Sequence, residues 1–427
     1  MRLCGKKTHS IIHNTQYNMS PRSIQIAHFD YDLPSEKIAY HPLSQRDNSK
    51  LLVYKEGRIT EDIFKNIDHH LPANSQVIFN ETKVFQARLP FRKESGADIE
   101  IFCLEPVAPF TDIERAFAQQ ESCLWRCIVG NAKKWKFGKI EWNGNRNSTL
   151  QLFAELIERE EETFLIRFSW TPTAASFSEV VEHCGHVPLP PYIRRREEVG
   201  DKTAYQTIYA REEGSVAAPT AGLHFTEDVL KRLQQKDIEL LKVTLHTGAG
   251  TFKPVSSETL DGHVMHTEKM QISKQTIQQL HQQPQGLRIA VGTTTVRTLE
   301  SLYRFGVKLL LRPDTTEFFI DQWEVYDELE KSNITVNQSL EAVLDYMTRN
   351  EINQLYGSTK LIITPNYRIR MANALITNFH QPQSTLLLLV AAFIGDAWKD
   401  AYQYALSHDF RFLSYGDACL FFLDEFP

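Results

Sequence analysis

The sequence predicts an α/β protein whose layered body is interrupted by a small β-barrel. After residue 170, apolar strand-like runs alternate with helix-periodic segments. Between about 85 and 170 the texture is different: short alternating strands follow one another across Gly and Asn turns, with no helical pattern between them. The composition is that of a packed protein, with 427 residues, 42% hydrophobic and 23% charged. This excludes a disordered, collagen-like or disulfide-framework chain. A soft prior of ~150 residues per domain allows two or three units, and the change of texture selects one body with an insertion.

In chain order, residues 1–20 read as a flexible extension with Met19 as an alternative start. They lack the apolar block of a signal peptide. The first body segment, 21–84, holds a helical turn at SEKIAY, bracketed by Pro34 and Pro42, and a strand at KLLVYKEG. The barrel strands are expected in QVIFNETKVFQARLP, ADIEIFCLE, CLWRCIVGN, GKIEWNG, TLQLFAELIE and TFLIRFSW, the insert itself running from 85 to 170. The second body segment is 171–427. FTEDVLKRLQQ (225–235) puts Val229, Leu230 and Leu233 on one helical face behind Thr226 as N-cap. IELLKVTLH (238–246) and LRIAVG (287–292) read as buried strands. An added helical segment near 313–360 contains NQSLEAVLDYMTRNEINQL (337–355), with Leu340, Val343, Leu344 and Met347 on one face. Ser384, just after Pro382, caps STLLLLVAAF. The apolar run 386–395 is about half the ~20 residues that cross a bilayer, so it is expected in the core, and no membrane partner is expected.

Six cysteines at 4, 103, 123, 127, 184 and 419 form no C-x-x-C pair. Free thiols of a cytoplasmic protein are the expectation. The net charge of −6 argues against a global attraction to nucleic acid, yet basic residues are concentrated locally. NAKKWKFGK (131–139) interleaves Lys133, Lys134, Lys136 and Lys139 with Trp135 and Phe137. That pairing suits phosphate contacts and base stacking on single-stranded nucleic acid. ARLPFRK (87–93) and YIRRR (192–196) add more. A solvated barrel surface is the ordinary reading of one such run.

Polar residues crowd the ends of the body strands in five places. GSVAAPTAGLHF (214–225) allows close backbone approach and ends on His224. VTLHTGAGTFKPV (243–255) runs from a strand through His246 into Gly248 and Gly250, the position where open α/β sheets bind ligands. It lacks the third Gly of a dinucleotide fingerprint. AVGTTTVRTLES (290–301) turns from strand to helix through Thr293, Thr294 and Thr295, an anion seat. Arg297 and Glu300 follow three apart, as a surface ion pair would. ITNFHQPQSTLLLLV (376–390) places His380 before a capped helix, and FRFLSYGDACLFF (410–422) inserts Asp417 between apolar runs. Taken singly, each also fits a structural role. The pairs HCGH (183–186) and HVMH (263–266) have no partners at zinc spacing, so no metal is expected.

Taken together, these segments closely resemble the S-adenosylmethionine:tRNA ribosyltransferase-isomerase family of queuosine biosynthesis. The resemblance runs from about 29 to 422 and is carried by FDYDLP, IAYHP, NETKVFQARL, HVPLPPYI, YQTIYA, GSVAAPTAGLHF, VTLHTGAGTFKPV, MHTE, GTTTVRTLES, LITNFHQPQSTLLLLV and RFLSYGDA. It implies an α/β body with an inserted barrel. It also implies transfer of the ribosyl unit of S-adenosylmethionine, as co-substrate, onto 7-aminomethyl-7-deazaguanine at the wobble position of tRNAs with GUN anticodons. The products are epoxyqueuosine-tRNA, adenine and methionine, and the family uses no metal. The expected species is a monomer.

Toward that reaction, His224, His246 and His380 are candidates for proton transfer and Asp417 for a ribose hydroxyl or amine. Arg297 and the Thr293–Thr295 turn are candidates for the methionine carboxylate. Thr220, Gly222, Gly248, Gly250, Thr251, Glu300, Ser384 and Tyr415 are expected around the substrate, and Lys83, Arg88, Lys133, Lys134, Lys136 and Arg194 on the tRNA. Lys83 stands where the family more often has Arg, and Asn366 where Pro-Gly is usual; residues 106–122 enlarge a barrel loop. Three alternatives remain open at this point: a paralogue acting on a different RNA or base, an RNA methyltransferase, and a non-catalytic RNA-binding protein. Release of S-adenosylhomocysteine marks the second, and tRNA binding without adenine release the third.

Overall fold

The computed structural model describes residues 20–144, 149–248, 250, 255–282, 286–329 and 333–423. Ten strands form one sheet, in the order Phe319–Ile320, Gln354–Thr359, Glu268–Ser273, Glu239–His246, Gln76–Asn80, Arg288–Val291, Ala374–Asn378, Ala418–Phe422, Lys50–Lys55 and Arg58–Ile63. Its centre is parallel: Glu239–His246, Gln76–Asn80, Arg288–Val291 and Ala374–Asn378 run in one direction. Every residue of the last three is buried, as strands covered on both faces must be. Ala418–Phe422 returns antiparallel, pairing Ala418 with Asn378, and Lys50–Lys55 runs parallel to it. The carboxyl ends at Asn80, His246, Val291 and Asn378 therefore meet the amino ends at Lys50 and Ala418 along one edge of the sheet.

The helices cover this sheet. Thr293–Leu311, 19 residues long, is buried along most of its length. Val336–Arg349 lies against it and buries Leu340, Val343 and Met347. Gly306 makes the close crossing possible, because a Cβ there would lie 2.2 Å from the Ser339 carbonyl oxygen. The helix expected over 337–355 ends earlier. After Asn350 the chain turns through Glu351, at φ 55°, and pairs as Gln354–Thr359 with Glu268–Ser273. An open sheet edge takes the last residues of the amphipathic run. Ser384 caps Thr385–Ile394 through the Leu387 amide, and that helix is buried in the core. Among the described residues no helix is long and apolar enough to cross a membrane.

Arg88–Arg92, Asp98–Ala108, Ser122–Gly130, Lys139–Trp142, Gln151–Arg159 and Phe164–Thr171 close into a barrel. Burial alternates along Ser122–Gly130, with Cys123, Trp125, Cys127 and Val129 inward. Two details depart from expectation. A short helix, Ile113–Phe117, sits in the enlarged loop, its N-terminus capped by Asp112. Phe177–Cys184, expected in the body, puts Phe177, Val180, Val181 and Cys184 into the barrel core, so the barrel unit extends past 170. Its apolar face plugs the cylinder that six strands leave open. Thr82–Val84 pairs with Glu212–Ser215 where barrel and body join. Cys103, Cys123, Cys127, Cys184 and Cys419 are buried free thiols.

Candidate active site

Three hollows follow one another along the sheet edge. The first, about 90 Å³, is lined by Thr220, Gly292, Thr293, Thr294, Asn378, His380 and Ser384. The second is a cleft of about 690 Å³ between Leu104, Glu105 and Pro106 of the barrel and His246, Gly248, Gly250 and His266 of the body. Thr247 lines both. The third, about 210 Å³, holds Ser49, His224, Arg411 and Tyr415, and shares Ser414 with the first.

Each of the expected histidines lines a different hollow. Asn378, at the end of its strand, accepts a hydrogen bond from Thr220 Oγ1 at 2.9 Å on Oδ1. Its Nδ2 lies 3.0 Å from His224 Nε2. With that amide donating, Nε2 accepts, and Nδ1 donates to Ser49 Oγ at 2.8 Å. Burial, with Arg411 nearby, pushes the His224 pKa down to about 3. His380 sets Nε2 2.9 Å from Thr377 Oγ1, and burial lowers its pKa to about 3. His246 sets Nδ1 2.9 Å from Thr82 Oγ1. Burial, then the Lys269 charge, pushes its pKa down to about 4. All three rings are therefore neutral near pH 7.

The strand-to-helix turn forms as the sequence predicts. Gly292 at φ 87° is the N-cap of Thr293–Leu311, a conformation that L side chains rarely adopt. The first amides of the helix have no carbonyl within it to bond, so Thr293 and Thr294 present an anion seat to the first hollow. Asn80 Nδ2 steadies it by donating to Thr294 Oγ1 at 3.3 Å. Thr295 points inward and donates to the Val291 carbonyl at 2.6 Å.

Other expected substrate contacts are engaged elsewhere. Arg297 lies in the second turn, and the helix aims it away from the hollow: Nη1 bonds Glu268, and Nε donates to the Leu361 carbonyl at 3.0 Å. Glu300 does not pair with Arg297. It is fully buried and accepts from Tyr367 Oη at 2.8 Å and from the amides of Arg370 and Met371. Asp417, 2% exposed, accepts from the Lys50 amide at 3.1 Å, the Arg411 amide at 2.8 Å and Arg411 Nη2 at 3.0 Å. It braces the sheet edge. Gly222 lines none of these three hollows; a Cβ there would lie 1.9 Å from Tyr209 Oη, so this glycine serves packing. Ser384 caps a helix and lines the first hollow, Tyr415 lines the third, and Thr251 lies outside the described residues.

The basic residues divide in the same way. Lys133, Lys134, Lys136 and Arg194 are exposed. Lys83 pairs with Glu213 at 2.6 Å. Arg88 donates to the Leu189 carbonyl at 3.2 Å and lies 3.5 Å from Glu100. The expected stack on Trp135 does not form: that ring is 1% exposed, in the barrel core, whereas Phe137 is 82% exposed. Trp135 follows the turn Ala132–Lys134 between two barrel strands and folds back into the barrel core, where an apolar indole is more stable than on the surface.

The structure also brings forward residues that the sequence pattern did not single out. Ser49, Thr247 and Asn378 link the hollows through hydrogen bonds or shared walls. His266 lines the cleft and bonds Glu268 at 3.0 Å. Its signal was the carboxylate two residues beyond the histidine in MHTE, which a search for zinc spacing passes over. Among the described residues, no three His, Cys, Asp or Glu side chains are grouped to hold a metal.

The chain is similar to known proteins along nearly its whole length. The chain is 36% identical over 402 residues, 93% of its own length and 94% of the relative, to an S-adenosylmethionine:tRNA ribosyltransferase-isomerase of Magnetococcus marinus. It is 37% identical over 403 residues, 93% of this chain and 99% of the relative, to the protein of that name from Thermotoga petrophila. A crystal structure of an S-adenosylmethionine tRNA ribosyltransferase from Thermotoga maritima is 27% identical, covering 92% of this chain and 99% of that one, with a TM-score of 0.42. A family model described as queuosine biosynthesis protein matches residues 26–421. With that match spanning the sheet, the barrel and all three hollows, the chain belongs to the queuosine biosynthesis protein family.

Proposed function

We propose that this enzyme transfers and isomerises the ribosyl unit of S-adenosylmethionine onto 7-aminomethyl-7-deazaguanine at the tRNA wobble position. The products are epoxyqueuosine-tRNA, adenine and methionine. The observation that carries the reading is 36% and 37% identity, across 93% of the chain, to proteins named for that activity.

The site geometry supports it. The amides at Thr293 and Thr294 suit the methionine carboxylate, which a helix N-terminus stabilises. The hollow there, about 90 Å³, suits a terminal group rather than a whole nucleoside. The adjoining cleft, about 690 Å³, has the size of a nucleoside site and opens between body and barrel, where a tRNA base can enter. Thr247 lies at the junction of the two, which suits a sulfonium and ribosyl carbons held between them. Sulfonium charge acidifies the C5′ proton, so a general base is required. Adenine then leaves more readily when hydrogen-bonded. His246, neutral at pH 7, is suited to that contact. Anticodons of GUN type and action as a monomer belong to the same proposal.

The test is incubation with S-adenosylmethionine and tRNA carrying the aminomethyl base, followed by nucleoside mass analysis. Epoxyqueuosine and free adenine are expected. Release of S-adenosylhomocysteine, or an unchanged tRNA base, overturns the reading.

A further inference from the structure

We propose that the third hollow is a phosphate site, and that it holds a backbone phosphodiester of the bound tRNA, away from the base that reacts. The inference rests on the tRNA reading above and adds a contact that the ribosyl chemistry does not use.

Topology assembles the hollow. Lys50–Lys55 runs parallel to Ala418–Phe422, with Leu51 opposite Ala418. The segments that lead into these two strands therefore lie side by side at one edge of the sheet. One carries Arg46, in the short turn Arg46–Asn48, and the other carries Arg411. Both line the hollow. Burial, then the Arg411 charge, lowers the His224 pKa, and the Arg46 charge acts in the same direction. Both guanidinium charges therefore reach the His224 ring on the hollow's wall.

The hollow carries surplus positive charge, and no Asp or Glu lines it. Arg46 is partly buried, and its Nη1 donates to the Gln206 carbonyl at 3.1 Å. Among the described residues no carboxylate pairs with it, and its other N–H groups have no partner. Burial lowers its pKa, although a guanidinium stays charged at pH 7. A partly desolvated cation without a counterion is unfavourable, and a bound anion offsets that cost. Nearby carboxylates are committed elsewhere. Asp47 accepts from Thr226 Oγ1 at 2.9 Å, and Asp201 holds Arg195 with both oxygens at 2.7 Å. Asp417 takes Nη2 of Arg411 at 3.0 Å. That leaves Nε and Nη1 of Arg411 without a partner among the described residues.

Two guanidinium forks from different segments, with the Ser44 and Thr203 hydroxyls at the exposed rim, are a set of converging donors. A phosphate accepts from all of them. The volume, about 210 Å³, is below the ~300–1,000 Å³ of sites that enclose a whole small molecule. It admits one phosphate of a chain whose nucleosides stay outside. Position favours RNA over a free phosphate. The hollow shares Ser414 with the first hollow, on the edge where the substrate base approaches. Arg194 and Arg196 are exposed a few residues before Gly200, which lines the hollow. They extend the positive charge outward, along a path that a polyanion follows. Glu198, beside them, lies 3.9 Å from Arg195 and 3.8 Å from His41.

The experiment measures binding of the full chain to substrate tRNA and to anticodon stem–loop RNAs in which single phosphates are replaced by neutral methylphosphonates. Arg46→Gln is expected to weaken tRNA binding by about tenfold and to lower the salt slope by about 1. S-adenosylmethionine affinity within about twofold of wild type shows that the fold is intact. Arg46→Lys, which keeps the charge and loses the fork, should fall between the two. One methylphosphonate position should weaken binding to the wild type and have no further effect on Arg46→Gln. Arg411 braces Asp417, so the second variant is Thr203→Glu, at an exposed position, which should weaken tRNA binding with normal thermal unfolding. Unchanged tRNA affinity and salt slope in both variants overturn the proposal. So does a set of methylphosphonates of which none is coupled to Arg46. Inorganic phosphate that stabilises the wild type but not Arg46→Gln, with tRNA binding equal in both, assigns the hollow to a free phosphate and also overturns it. The assay needs no turnover. A wild type that binds this tRNA but releases no adenine defeats the ribosyl-transfer reading alone, and one that binds no tRNA defeats both.

Discussion

At His224, His246 and His380, burial is the main force opposing the charged ring. With folded pKa values of about 3, 4 and 3 against ~6.5 unfolded, the unfolded chain binds more protons below pH 6.5. These groups therefore contribute stability that is present above pH 6.5 and lost as pH falls toward 4 and 3. The slope approaches ~1.4 kcal/mol per pH unit for each histidine. His186 acts in the opposite sense, because Glu197 raises its pKa; its half-exposed ring makes that contribution smaller. The urea midpoint should fall between pH 7.5 and 5.5, and His224→Asn should shrink the difference. A midpoint that does not move with pH contradicts this account. Gly222→Ala should destabilise by ~1–3 kcal/mol, as an added methyl must displace Tyr209. Thermal unfolding at equal protein concentration measures it.

Among the elements, those with strong local signals form where the sequence places them. Thr226 caps Glu227–Gln235, which buries Val229 and Leu233, and Ser384 caps Thr385–Ile394. The departures arise where a distant partner competes. The amphipathic run after residue 337 gives up its last residues to strand pairing with Glu268–Ser273, and no local pattern announces that edge. Phe177–Cys184 has an ordinary capping box at Ser176 and Glu179, yet which core it enters depends on the barrel being open at one end. Phe177→Ala should therefore cost ~3–5 kcal/mol and show first in the barrel, with S-adenosylmethionine binding retained. A variant with full barrel stability, followed by Trp125 and Trp170 fluorescence, removes the plug from the account.

For the molecule as a whole, the net charge of −6 conceals an uneven surface. Lys133, Lys134 and Lys136 remain exposed around Phe137, whereas Lys83 and Arg88 are held in local pairs. Reversing the three exposed lysines to Glu should weaken tRNA binding and flatten its salt dependence by about 2 units of log K per log salt. S-adenosylmethionine binding should be unaffected. An unchanged salt slope assigns the tRNA to another face.

The sequence by itself determined the α/β body, the barrel insert, the Gly292 turn and the segments that line the site, because periodicity, caps and glycine-rich strand ends are local signals. Only the tertiary structure decided which side chains line the hollows. Arg297 and Asp417 carry the right chemistry but are bonded to Glu268 and to Lys50 and Arg411. Asn378, Thr247 and His266 reach the hollows through strand order. A side chain's partners depend on which strands lie beside its own, and in this sheet some of those neighbours are distant in the chain, as Gln76–Asn80 is from Glu239–His246 and Lys50–Lys55 from Ala418–Phe422, beyond the reach of any local pattern.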